Sequence, residues 1–187
     1  MKKILPILFL LAQFLIGCSG SAPAGTSSIG TNCDSLQPTA GDIGYALNFG
    51  SKLFVDSVWQ RSYTVRELDA VVSWNHRSFS ALSDVSVLLF CNDNGTGDVE
   101  LFYNTNTVHD NFANYDESTI TNSCTKDGLM LYELDAVEEE LNYKIRMWIQ
   151  PLSKTRLLSV VLVFPVEESA LFEKYSQELF PDLPVCK

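Results

Sequence analysis

The chain has 187 residues, of which 46% are hydrophobic and 19% charged, with five cysteines and a formal net charge of -10. That length supports one domain with its own core, and the apolar and aromatic content excludes a disordered polymer. The acidic balance argues against nucleic acid as a partner, because phosphate recognition requires Lys and Arg to release counterions.

Residues 1–17 open with Lys2 and Lys3 and continue as an apolar run from Ile4 to Ile16, broken by Pro6 and Gln13. This is the charge and length pattern of a secretory signal peptide, and the run is short for a bilayer span. It ends in Leu15-Ile16-Gly17-Cys18, which resembles the lipobox of bacterial lipoproteins. The resemblance implies cleavage before Cys18 and acylation of that cysteine, palmitate being one such acyl group. Several acyl chains together hold a protein on a bilayer, whereas one binds reversibly. Ser19 stands where an aspartate would imply retention at the inner membrane, so the resemblance implies the outer membrane. Residues 18–32 are rich in Ser, Gly, Ala, Thr and Pro and carry no charge. They are expected to act as a flexible tether spanning roughly 20 Å.

The domain is expected to occupy residues 33–187. It holds Cys33, Cys91, Cys124 and Cys186, an even number suited to two disulfides in an exported protein. Four cysteines allow three connectivities, and the expectation adopted is Cys33 with Cys186 and Cys91 with Cys124. A zinc site is disfavoured because no two of the four lie within four residues of each other.

Along the domain, Ile43 to Phe49 and Leu53 to Trp59 fit strand and short helix equally. Arg66 to Trp74 alternates, with Leu68, Ala70, Val72 and Trp74 on one face, and is expected to be a half-buried strand. Val85 to Cys91 and Val99 to Tyr103 flank Asn92-Asp93-Asn94-Gly95-Thr96-Gly97-Asp98, which predicts a hairpin. Asn104 to Asp127 is polar without a sustained period and is expected to be a long loop. Leu129 to Val137, Leu141 to Gln150 and Arg156 to Val166 are strand candidates. Glu167 and Glu168 then open a helix carrying Leu171, Phe172, Tyr175 and Leu179 on one face, and Pro181 ends it. The expected class is mainly β or α+β: an antiparallel sheet or β-sandwich with a C-terminal helix.

Two internal patterns stand out. Glu67-Leu68-Asp69-Ala70-Val71 recurs as Glu133-Leu134-Asp135-Ala136-Val137, but the flanks do not align. The run from Val72 to Leu101, with His76, Asp84-Val85-Ser86-Val87-Leu88-Leu89 and Gly95-Thr96, resembles the core of the P domain of proprotein convertases. That resemblance implies a jelly-roll sandwich. Cys91 and Asn92 stand where the pattern turns at a proline, and its tryptophan signature is missing.

Removing Lys2 and Lys3 leaves 11 basic against 23 acidic side chains, a net of -12. The interval between Arg77 and Lys144 contains thirteen acids and one base, Lys126, so it carries the whole imbalance. Such a field attracts cations or a basic protein surface. Asn92, Asn94, Thr96 and Asp98 offer oxygen ligands at alternate positions, as calcium requires, although the glycine lies one place early for an EF-hand and the closing bidentate glutamate is missing. No catalytic residue is assigned: His76 and His109 are the two histidines, and no zinc-protease, phosphate-loop or nucleophile-elbow motif accompanies them. The expectation is a lipid-anchored envelope protein, with a membrane contact through Cys18, that binds a basic envelope partner through residues 92–140. A carboxylate and histidine hydrolase and a calcium-dependent adhesion or carbohydrate module are the alternatives.

Overall fold

The computed structural model describes residues 37–52, 54, 57–66, 68–89, 105–153, 155–179 and 186. Helix α1 (Ala40–Ser51) precedes three strands, β1 (Trp59–Val65), β2 (Asp69–His76) and β3 (Leu82–Leu89). A short helix α2 (Thr105–Asn111) precedes β4 (Glu117–Lys126), β5 (Leu129–Glu138), β6 (Leu141–Pro151) and β7 (Arg156–Pro165). A 3-10 turn (Val166–Glu168) then leads into helix α3 (Ser169–Leu179). All seven strands form one antiparallel sheet in the order β1-β2-β3-β7-β6-β5-β4. Two meanders, β1 to β3 and β4 to β7, are therefore joined side by side along the β3–β7 seam, which pairs Leu82 with Val163 and Leu89 with Arg156.

Local chemistry fixes several of these elements. Thr39 caps α1: its hydroxyl accepts from the Asp42 amide, and the Asp42 carboxylate accepts from the Thr39 backbone N–H at 2.7 Å. This reciprocal capping box resolves in favour of helix the stretch whose apolar period fits either state. Asp42 also accepts from Arg156 Nε at 3.0 Å, tying the helix start to β7. Burial alone would raise the Asp42 pKa, but the Thr39 bonds and the Arg156 charge outweigh it and hold the carboxyl below its usual value. Between β4 and β5, Asp127 (φ 52°) and Gly128 (φ 79°) form a two-residue turn of the type I′ kind.

Alternation sends side chains to both faces of the sheet. On one face, α1 and α3 cover a cluster that includes Trp59, Val72, Trp74, Trp148, Leu162, Phe164, Phe172 and Tyr175. Its only described side-chain hydrogen bond between rings runs from Trp59 Nε1 to the Tyr175 hydroxyl, at 3.2 Å. On the other face, Val108 and Phe112 from the α2 region cover Tyr132, Leu134, Ile145, Met147, Leu157 and Val161. The strand expected over Leu141 to Gln150 is present as β6 and alternates: Tyr143, Ile145, Met147 and Ile149 join the α2 side, while Trp148 joins the other.

The mainly β class with a C-terminal helix is as expected. Several finer expectations are corrected or delimited. The loop expected over 104–127 contains α2 and the whole of β4. As the edge strand, β4 alternates half-buried with exposed positions and needs little apolar content, so polarity concealed it. The expected Cys91–Cys124 and Cys33–Cys186 bridges are replaced by Cys124–Cys186, with a Cα separation of 5.6 Å. Cys124 projects from β4 toward the α3 side, where the C-terminal segment returns: the Cys186 carbonyl accepts from Asn122 Nδ2 at 2.7 Å. Cys33 and Cys91 lie outside the described residues, as does the expected hairpin with its turn at 92–98. The repeated pentapeptide is no duplicated hairpin. Ala70 pairs with Val87 on the α1 side of the sheet, whereas Leu134 and Ala136 lie on the α2 side. The described strands share one sheet, not the two facing sheets of a jelly roll.

Candidate functional site

Part of the negative charge gathers at one end of the sheet. The start of β4 (Glu117, preceded by Asp116), the end of β5 (Glu138), the β5–β6 turn (Glu139, Glu140) and the 3-10 turn after β7 (Glu167, Glu168) meet there. Beside them, a shallow cavity of about 430 Å³ is lined by residues including Glu117, Thr119, Asp135, Tyr143, Lys144 and Glu167. Lys144 Nζ holds Asp135 at 2.6 Å, so one cation is already committed.

Glu139 and Glu140 are the sharpest feature. They form a two-residue connection with φ of 49° and 69°, the left-handed region that Asn and Gly occupy at low cost. A non-glycine residue there costs on the order of 1 kcal/mol, and two adjacent like charges add repulsion. The Asp116 carboxylate offsets part of this by accepting from the Glu139 amide at 2.9 Å, but it adds another negative charge. Electrostatic consequences are visible nearby. Burial raises the Glu138 pKa, and Glu139 and Asp116 push it further. Burial likewise raises Tyr143; Glu138, Glu139 and Glu167 add to the rise, while a hydrogen bond from Ser80 opposes it.

Not every acid in the stretch contributes. Glu133 accepts from Arg146 Nε at 2.7 Å, and the two terminal nitrogens of Arg146 bind the Glu173 carboxylate at 2.7 and 2.9 Å. The guanidinium also stacks 4.8 Å from the Phe172 ring. This half-buried fork fastens α3 to β5 and β6 and is structural in effect. Among these described acids, Glu133 and Asp135 are paired with cations along the strands, whereas those at the turn end meet one another.

A second acidic group lies deep in the sheet. Asp84, on β3 opposite Ser73 of β2, is 6% exposed, and one of its carboxylate oxygens has no hydrogen-bond partner. Burial raises its pKa to about 6, against the smaller lowering effects of the Ser73 hydrogen bond and the Arg66 charge. Tyr115 connects this region with the acidic end: burial, then Glu138, Tyr143 and Asp84, all push its hydroxyl upward. Because the folded pKa of Asp84 exceeds its unfolded value, burial opposes folding once the group ionises. Stability is thus expected to fall as pH rises from about 4 through 6, and to stay reduced above that. Asp84→Asn is expected to be more stable than the parent by about 2 kcal/mol at pH 7.5 and to lose that advantage near pH 4. Denaturant titrations at both pH values check this; an equal difference at the two would exclude burial of charge as the cause.

Neither histidine makes a described hydrogen bond to a carboxylate. His76, at the end of β2, stacks on Phe79 with ring centroids 3.9 Å apart, meets the Trp59 ring edge-on, and accepts from the Ser78 amide through Nδ1. Its pKa is lowered by burial, with Glu168 opposing. His109 is exposed on α2. Among the described residues, no group of three His, Cys, Asp or Glu side chains is placed to hold a metal ion. The calcium candidates Asn92, Asn94, Thr96 and Asp98 lie outside the described residues, as does Cys18.

The contributions of Asp116 and Glu167 to this end could not be inferred from their neighbours in sequence, since strand pairing brings them together. The three consecutive glutamates at 138–140, set between two alternating strands, were the available signal. No known family profile matches the chain, and no curated protein matches it either.

Proposed function

We propose that the protein is a lipid-anchored binding module of the bacterial envelope, held at the outer membrane through Cys18, that presents the acidic end of its sheet to a basic surface of an envelope protein. The observation that carries the binding role is the Glu139–Glu140 turn. A hairpin that needed only to fold would place Asn-Gly there, and this chain spends backbone free energy to display two carboxylates beside Asp116, Glu138 and Glu167. The sequence around Cys18 supports the anchor and the uncharged residues after it support a tether. Acidic groups on short, hydrogen-bonded strand ends are well held, so the field is pre-organised and acts mainly on encounter rate and orientation.

The variant Glu139→Asn/Glu140→Gly separates display from folding. It is expected to raise the unfolding free energy by about 1 to 2 kcal/mol, since both residues suit positive φ. It is also expected to reduce the amount of basic protein retained from envelope fractions at low salt and to flatten the salt dependence of that retention. Unchanged retention by a stabilised variant would overturn the reading.

A further inference from the structure

Among the described residues the sheet has two edges, which are built differently. Edge strand β4 carries a register shift between Ile120 and Asn122, bears charges at both ends in Glu117 and Lys126, and is tied to the C-terminal segment through Asn122 and Cys124. Bulges and charges of this kind protect an edge against pairing with another chain. Edge strand β1, Trp-Gln-Arg-Ser-Tyr-Thr-Val, pairs with β2 in unbroken register over seven residues, contains no proline, and has one charge, Arg61. Its Tyr63 is 70% exposed and its Val65 49%.

The direction of the β1 backbone follows from its ends. The Val58 carbonyl accepts from the Arg77 amide, and the Arg66 amide donates to the Asp69 carbonyl, so even-numbered positions turn toward β2. The amides and carbonyls of Trp59, Arg61, Tyr63 and Val65 then turn toward the open edge. We propose that this edge pairs with the same edge of a second copy of the chain, antiparallel about a two-fold axis at Ser62, to give a continuous fourteen-stranded sheet.

This register is selected by the residues. Centring on Ser62 sets Arg61 opposite Tyr63 of the other copy, and Trp59 opposite Val65, and all four outward-turned residues on each chain find partners. A shift that centres on Arg61 would oppose two guanidinium groups, and one that centres on Tyr63 would leave Trp59 unpaired. The side chains of Arg61 and Tyr63 lie on the α1 side, opposite Trp74 and Val72, where they line a groove of about 320 Å³ with Ala40, Ile43 and Leu47. A two-fold axis normal to the sheet keeps both α1 helices on one side, so each Arg61 stacks on the other chain's Tyr63 above these grooves.

Charge favours the same arrangement. The acidic turn between β5 and β6 is five strand spacings from β1. In the pair the two acidic ends stand roughly 50 Å apart, several Debye lengths at physiological salt, so the net charge offers little resistance to association.

Sedimentation of the purified full chain in detergent, over a range of protein concentrations, tests the proposal. A concentration-dependent dimer is expected. Tyr63→Lys, which places lysine opposite Arg61 of the other copy, is expected to weaken it by about tenfold, since the clash occurs twice in the pair. Adding Arg61→Glu sets glutamate opposite that lysine and is expected to restore dimerisation. Circular dichroism confirms that each variant is folded, which the high exposure of Tyr63 favours. A monomer at every concentration, a dimer indifferent to Tyr63→Lys, or a loss that Arg61→Glu leaves unrepaired would each overturn this pairing.

Discussion

Replacing Cys124 and Cys186 together by alanine is expected to lower the unfolding free energy by about 4 kcal/mol, the chain entropy released when a loop with ends 62 residues apart is freed. The bridge joins edge strand β4 to the C-terminal segment, and its two partners sit at the margin of the α3-side core, with Cys186 8% exposed. Once it is removed, one hydrogen bond, from Asn122 to the Cys186 carbonyl, is the remaining described polar tie between them. Denaturant unfolding of the double variant against the parent measures the loss, and a change below about 1 kcal/mol would show that native strain cancels the entropy gain. Peptide mapping without reduction is expected to recover a fragment pair containing Cys124 and Cys186. If all four domain cysteines are oxidised within one chain, Cys33 is then expected to be bound to Cys91.

The second large effect concerns Gly50, at the C-terminal end of α1. A Cβ there would overlap the six-membered ring of Trp74, which is 1% exposed and fixed between Phe54 and the sheet. Alanine ordinarily stabilises a helix relative to glycine by about 1 kcal/mol. Here overpacking is expected to win, and Gly50→Ala should cost about 3 kcal/mol. Gly44 in the same helix has open space at its Cβ, so Gly44→Ala should instead gain up to about 1 kcal/mol. Thermal or denaturant unfolding of both variants gives the comparison. The opposite signs are the diagnostic feature, and Trp74→Leu should relieve much of the Gly50→Ala penalty.

These cases show what could be read from the sequence. Strands β2, β3, β5, β6 and β7 were legible because interior strands alternate or run continuously apolar, and the helix with Phe172 and Tyr175 was legible from its spacing. Strand β4 was not, because an edge strand buries little and its Ser, Thr and Asn content imitates a loop. The Asp127–Gly128 pair was a hairpin signal that would have divided that stretch correctly, and Thr39 with Asp42 would have identified α1 as a helix. The acidic interval was visible as a charge count. Its partition was not: only strand pairing shows that Glu133 is neutralised by Arg146 while Asp116, Glu138 and Glu167 come together. The glutamate turn carried no conformational signal at all, since neither residue favours a positive φ.

The seam between β3 and β7 also constrains the order in which the molecule is made. Its pairs join residues 82–89 to residues 156–163, so the middle of the sheet consists of segments about two fifths of the chain apart. The first meander emerges early yet lacks the neighbour that covers its third strand until almost all the sequence has been synthesised. High contact order of this kind slows folding, because loop closure must precede the contacts that reward it. Under the export proposed from residues 1–17, the delay would keep the nascent chain unfolded enough to be threaded across a membrane, and the sheet would close on the far side.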